Sequence, residues 1–449
     1  MTIMALAGLV FGAWSCNKNE TTPLDPEQKD EKVVKLTVQL SYGGQDYKIA
    51  GIPVTLNNTN GLATYEQSTD ASGAVCFEVP VGNYVATAYN KASDNGNFYS
   101  YSGAVAILAA QSVASSSTDL VLSRAASEQI IIKELYNGGC QKADGKGYSD
   151  DGYMILYNNS EMEADASNIS IAFSAPYNGQ ATTTAAKYFD ANGVCIYQHL
   201  SWQPAYGAIW WFKESVKIAP YSQVVIAFFG GIDHTATVEN SVDLSKSDYY
   251  VMSNDGIAAY TNKKYQVAET IPASHYLTTV PFTKGNAWAL SNTSPAVYIS
   301  KVESSVISDL SLDSENFDHT MGASEAFNVV RFPKKYIIDA IEVWKTADVA
   351  KSSYRFSPEI NIGHVCLTNQ IGHTLYRNVD KAATEALAEN EGKLVYNYAG
   401  GTEAEDGGST DPSGIDAEAS IAAGAHIIYK ETNNSGMDFH QRAVASIKK

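Results

Sequence analysis

Apolar residues in this chain recur at every second position in short runs. That period admits a half-buried strand and excludes an amphipathic helix. The stretch VVKLTVQLSY, residues 33–42, puts Val34, Leu36, Val38 and Leu40 on one face and Lys35, Thr37 and Gln39 on the other. GIPVTLNN gives a second strand, and AVCFEVPVGNYVATAY predicts a hairpin turning on Pro80, Gly82 and Asn83. The 28 tyrosines among 449 residues point the same way, because aromatic side chains favour strands. The expected fold class is therefore all-β, with two β-sandwich domains in tandem.

The N-terminal end addresses location. Residues 3–15, IMALAGLVFGAWS, are too short to span a bilayer but match the apolar part of a signal peptide, one shortened at its start because MTIM carries no positive charge. Ser15 followed by Cys16 resembles a bacterial lipobox, with Trp14 where a small residue is usual. That resemblance implies a lipidated Cys16, held stably by its acyl chains. Residues 16–32, including NKNETTPLDPEQKDEK, lack a hydrophobic period and read as a flexible tether. Their early lysine and acidic residues loosely resemble the export signal of surface-exposed Bacteroidota lipoproteins. The implied location is the outer membrane, lipid-anchored and facing the cell surface. A net charge of −18 argues against a nucleic-acid partner.

Residues 33–123 carry G-x-P-V-x-L and TDASGAVCFEVPVGNYVATA. They resemble carboxypeptidase-regulatory-like, transthyretin-like sandwiches, which implies a spacer or adhesion unit. Residues 128–449 open with EQIIIKELYNGGC and continue through YMILYNNS and IAPYSQVVIAFFG to YIIDAIEVW. That order resembles a lamin-tail-like, immunoglobulin-like sandwich. With LYRNVD and TNNSGMDFH it is similar to the lipoprotein family catalogued as domain of unknown function 4876 over residues 128–445. Residues 160–330 exceed what one sandwich needs and are expected to form insertions and extra strands or loops at one end. The Gly-rich acidic stretch YAGGTEAEDGGSTDPSGIDAEASIAAG reads as loop. In the closing TNNSGMDF, Asn433 and Asn434 suit a left-handed turn, Asp438 can cap local amides, and Phe439 can plug the core.

Chemistry-bearing motifs are scarce. G-x-S-x-G, H-E-x-x-H, Walker and Rossmann patterns are absent. Cys76, Cys140, Cys195 and Cys366 lack zinc-site spacing and read as single cysteines. Asp144, Asp150 and Asp151, among three glycines, suit either a polar loop or a calcium site, although EF-hand spacing fails. Asp233 beside His234 offers either a general base or a satisfied loop histidine. His364 and His373 could meet across a hairpin on a transition metal.

The aromatic run IYQHLSWQPAYGAIWWF supplies ligand-binding candidates Trp202, Tyr206, Trp210 and Trp211. On a strand, Trp210 and Phe212 share one face and Trp211 takes the other. Either both tryptophans pack inside, or one projects as a platform. No cofactor is expected beyond the lipid. The leading expectation is a non-catalytic lipoprotein that binds a ligand or partner, accessory to a TonB-dependent nutrient transporter. The alternatives are a structural adhesin or envelope scaffold, and a hydrolase with a loop-built site.

Overall fold

The computed structural model describes residues 33–59, 63–94, 97–108, 115–126, 129–180, 188–190, 193–212, 214–252, 265, 267–282, 290–318, 328–402 and 410–448. Residues 1–32, where a signal peptide, a lipidated Cys16 and a tether are expected, lie outside the described residues. The chain divides into two compact units, one ending at Leu122 and containing Gly103–Leu122, the other made of Tyr89–Ser102 and Ser123–Lys449.

In the first unit the alternation of VVKLTVQLSY becomes strand Val33–Tyr42, whose Val34, Leu36, Val38 and Leu40 are all buried. It pairs antiparallel with Ala74–Pro80 and parallel with Ser115–Val121. A second sheet takes Thr64–Ser68, Pro53–Asn58 and the first part of Tyr84–Asp94 from this unit. The expected hairpin is corrected here. Ala74–Pro80 and Tyr84–Asp94 are consecutive but belong to different sheets, so Pro80, Gly82 and Asn83 turn a corner between them. Tyr84 closes that corner by donating its hydroxyl to the Pro80 carbonyl at 2.6 Å. Its buried ring gives the corner an apolar anchor, which two directly paired strands would not need.

The second unit is built on two six-stranded sheets. One runs Tyr250–Val251, Gln223–Ala227, Tyr153–Asn158, Ile130–Tyr136, Thr374–Arg377, Phe439–Arg442. The other runs Thr278–Pro281, Ala208–Trp211, Ile169–Phe173, Ala296–Lys301, Ile337–Lys345, Val365–Leu367. Their facing side chains, among them Ile132, Leu156, Leu375, Ile171, Trp210 and Ile341, form one apolar core. Outside the second sheet lies a further layer: strands Trp202–Tyr206, Val329–Pro333 and Phe317–Asp318, with helix Ser304–Leu312. Ala205, Val330, Phe332 and Ile307 from that layer pack with Ile209, Trp211 and Tyr298 from the sheet. The outer side of the first sheet is covered too, where Ile131, Tyr157 and Tyr376 meet Ile415, Ile427 and Tyr429. Strands covered on both faces lose their alternation, and Ile130–Tyr136 is buried at every position.

The extra strands expected within 160–330 are present, as members of the second sheet and not as additions at one end. Ile169–Phe173, Ala208–Trp211, Thr278–Pro281 and Ala296–Lys301 supply four strands of the second sheet. The acidic tail is corrected in part, because Ala417–Ala422 is a helix capped by Asp416, which accepts from the Ala419 amide.

The two sheets are joined by a buried ionic centre. Arg377 donates to Asp339 Oδ2 at 2.5 Å, to Glu431 Oε2 at 3.2 Å and to the Ile132 carbonyl at 2.6 Å. Its guanidinium also lies 4.4 Å from the Phe439 ring centroid. Phe439 is in the inner core, as its sequence context suggests. Asp438 caps the closing turn, accepting from the Thr432 and Asn434 amides. Asn433 takes the left-handed conformation at φ 52°. Burial pushes the Asp339 and Asp438 carboxyls above their usual range, against the lowering effect of Arg377. Removing one partner of such a centre strands the other charges in a dry interior. Arg377→Met is expected to cost about 3–5 kcal/mol, read as a lower midpoint in guanidinium unfolding. A change below about 1 kcal/mol would mean the centre contributes little.

Candidate ligand-binding surface

The aromatic run divides between core and surface. Strand Ala208–Trp211 pairs with Ile169–Phe173 on one side and Thr278–Pro281 on the other. Alternation sends Trp210 and Phe212 into the inner core and Trp211 into the outer one, as the period requires. Both faces are covered, so Trp210 is 1% and Trp211 6% exposed. Neither is a solvent-facing platform. Trp210 stands edge-on to Phe173 at 6.0 Å and is a packing residue.

Trp202 and Tyr206 differ. They share one face of the outer strand Trp202–Tyr206, where both are half-buried. Around them lie Ala175, Cys195, Tyr197 and Val329, with Tyr188 and Phe189 alongside. Trp202 packs on Tyr197 at 5.3 Å, and the Arg331 guanidinium lies 5.8 Å over its ring. Tyr197 in turn meets Tyr188 at 6.3 Å. Tyr206 meets Tyr177 edge-on at 6.4 Å, and Tyr177 is 39% exposed. Tyr354, 40% exposed, is tied to the same region because Gln198 donates to its carbonyl at 2.9 Å. The exposed apolar side chains of Ile196 and Leu200 flank Gln198. The result is a face of half-open aromatic rings with the Gln198 amide and the Arg331 guanidinium at its margin.

A second buried ion pair holds this face in place. Arg355 Nη2 lies 2.7 Å from Glu342 Oε1, and both side chains are fully buried. Arg355 also donates to the Pro176 carbonyl at 3.1 Å, fixing the turn that carries Tyr177. Gln203, next to Trp202, donates to Ser174 Oγ at 2.7 Å and to the Arg355 carbonyl at 3.1 Å. The turn, the outer strand and the Tyr354 segment are thus hydrogen-bonded to one centre. Beside it His364 stacks on Trp344 at 3.7 Å, and its Nδ1 meets the Tyr354 hydroxyl at 3.1 Å.

Neither Tyr177 nor Tyr354 was singled out from the sequence. The signal for Tyr177 is its place in SAPYNG, a turn-forming segment after a strand, where an aromatic ring cannot reach the sheet's own core. Tyr354 precedes Arg355 in an irregular stretch that no periodicity marks.

The acidic loop does not form one site. Asp144 is exposed and closes a turn with Lys146, at 3.1 Å to its amide and 2.9 Å to its amine. Asp150 is half-buried. Asp151 is buried and accepts from Ser241 Oγ at 2.6 Å and the Tyr136 hydroxyl at 3.2 Å. Among the described residues no group of three or more His, Cys, Asp or Glu side chains could hold a metal ion.

Near Asp151 sit Cys140, at 3.5 Å, and His234, whose Nδ1 meets the Tyr148 hydroxyl at 2.6 Å. Cysteine, histidine and aspartate here do not make a nucleophilic triad. Burial, with the Asp151 charge beside it, pushes the Cys140 thiol up to about 11, whereas a reactive cysteine needs its thiolate stabilised. Asp233 caps the turn after it by accepting from the Thr235 amide at 2.9 Å. Among the described residues, Cys76, Cys140, Cys195 and Cys366 form no disulfide.

Fold and surface together define a two-unit all-β protein with one aromatic face on its larger unit. Residues 219–399 match the model of the family described as protein of unknown function DUF4876, so the resemblance read from the sequence is borne out. The crystal structure of a DUF4876 family protein from Bacteroides thetaiotaomicron VPI-5482 is similar to this chain. Its TM-score is 0.52 at 18% identity, over 92% of this chain and 96% of that one. At that identity the likeness is one of fold. A DUF3823 family protein from Parabacteroides merdae ATCC 43184 aligns at TM-score 0.17 and 8% identity, over 70% of this chain and 99% of that one. No curated protein matches the sequence.

Burial lowers the His364 imidazole from 6.5 to about 4. The unfolded chain therefore takes up a proton near 6.5 that the folded chain refuses, and this histidine's share of stability is lost as pH falls from 6.5 towards 4. His364→Gln is expected to flatten that part of the thermal-midpoint profile between pH 6.5 and 4. Identical slopes for the two proteins would show that His364 is not held neutral.

Proposed function

We propose that this is a non-catalytic, lipid-anchored binding protein of the outer membrane, facing the cell surface. Cys16 bears the lipid, residues 17–32 are the tether, and the first unit is a spacer. The larger unit takes a ligand or partner on the face formed by Tyr177, Tyr188, Trp202, Tyr206 and Tyr354. The protein then serves a TonB-dependent transporter as an accessory in uptake. The observation that carries this reading is the partial exposure of Tyr177 and Tyr354 beside a fully buried Arg355–Glu342 pair. Rigid rings lose little freedom on binding, and flat aromatic faces suit sugar rings or a protein hot spot. The Cys140 environment, which favours the thiol, supports a non-catalytic reading.

The test uses the full-length protein in outer-membrane pull-downs and on a glycan panel. A double variant, Tyr177→Ala with Tyr206→Ala, is expected to weaken binding by roughly 30-fold, about 2 kcal/mol, with an unchanged thermal midpoint. Binding equal to the parent would refute the aromatic face. Recovery only of copies of this chain would favour an adhesin or scaffold. Mass spectrometry of the native N-terminus checks the anchor, and an unmodified Cys16 thiol would remove it.

A further inference from the structure

Lys133 is a lysine placed where lysines rarely sit. It lies on strand Ile130–Tyr136, is fully buried, and marks a break in the pairing register between Ile132 and Glu134. A residue bulged out of a ladder can aim its side chain away from its direct cross-strand neighbour. The Lys133 amine passes the adjacent strand and meets Gln223 Oε1 at 2.7 Å. Gln223 belongs to the strand beyond and pairs through its backbone with Tyr157 of the intervening one. The same amine lies 2.8 Å from Glu418 Oε1. Three tyrosine rings surround it, with centroids at 5.3 Å for Tyr376, 5.6 Å for Tyr429 and 5.7 Å for Tyr157. Tyr376 donates its hydroxyl to Glu418 Oε1 at 2.5 Å, fixing the carboxylate.

A buried amine, a primary carboxamide at an exposed strand end and a half-open carboxylate, held within hydrogen-bond distance of the amine, are the groups needed for transamidation. Holding the reactants in contact replaces a bimolecular encounter by an intramolecular one. The terminal torsion of glutamine is broad, so the carboxamide can turn its carbon towards the amine.

We propose that Lys133 and Gln223 form an intramolecular isopeptide bond, with Glu418 as the proton shuttle. Glu418 takes a proton from the Lys133 ammonium. The freed nitrogen lone pair attacks Cδ of Gln223, forming the new C–N bond. Glu418 passes that proton to the departing NH2 as the old C–N bond breaks, then takes the second proton from the attacking nitrogen and hands it to the released ammonia, which leaves as ammonium. One amide replaces another, nothing is oxidised or reduced, and no co-reactant is consumed. The bond staples the first and third of three adjacent strands across the second.

The experiment is peptide mapping of the denatured full-length chain by mass spectrometry. The expected result is a branched peptide joining the Lys133 segment to the Gln223 segment, lighter by one ammonia than the two together, with no tryptic cut after Lys133. Glu418→Ala is expected to abolish it and return two linear peptides. Gln223→Ala, altered at an exposed strand end, gives a second variant lacking the link. Recovery of Lys133 and Gln223 only in separate linear peptides from the parent chain overturns the proposal. A branched peptide that survives Glu418→Ala removes Glu418 from the mechanism.

Discussion

The Arg377 guanidinium joins elements that are far apart in the sequence and face each other in the second unit. Its own strand, Thr374–Arg377, lies in one large sheet, and Asp339 lies in the other. Its Nε reaches the Ile132 carbonyl, and its Nη1 holds Glu431 in the segment that closes the chain. A planar cation with five donors can satisfy several acceptors at once in fixed directions, which an ammonium cannot. An apolar core of Ile, Leu and Val tolerates sliding of one sheet on the other. A buried cation that must meet all its partners does not, and it therefore fixes the register between the sheets.

From that register follows the division of the aromatic residues. The second sheet is covered on its inner face by the first sheet and on its outer face by the layer containing Trp202–Tyr206 and helix Ser304–Leu312. Side chains of the strand Ala208–Trp211, Trp210 and Trp211 included, are therefore buried on both faces. Side chains on the outermost layer have one face left over. That geometry leaves Trp202 and Tyr206 half-open, and the turn following Phe173 adds Tyr177 to them. The Arg355–Glu342 pair then serves the outer face as Arg377 serves the inner one, binding a turn, a strand and a loop to one buried point.

The polar residues inside the second unit are consistent with this view. Lys133, Glu418 and Gln223 cross the outer side of the first sheet, and Asp151 with Ser241 and Tyr136 fills a smaller enclosure. Lys133 and Tyr136 lie on one strand of the first sheet, and their partners come from other strands, from the helix Ala417–Ala422 and from loops. Polar groups buried in this way need specific partners.

Much of the fold was legible in the residues. The alternation in VVKLTVQLSY fixed a strand with one buried face, the all-β class followed from many such runs, and TNNSGMDF announced its turn, its cap and its core plug. Period-two patterning is local, so a sequence carries it without help. The site was legible only in part: Trp202 and Tyr206 lie on the aromatic face, while Trp210, Trp211 and the grouping of Asp144, Asp150 and Asp151 do not. The corner at Pro80–Asn83 and the sheet joined by the strands within 160–330 went unread for a related reason. Which sheet a strand joins, and whether its second face meets solvent or a further layer, depends on residues hundreds of positions away. Local pattern therefore determined what forms strands, while contacts between distant segments decided which aromatic rings remain open and which buried charges meet.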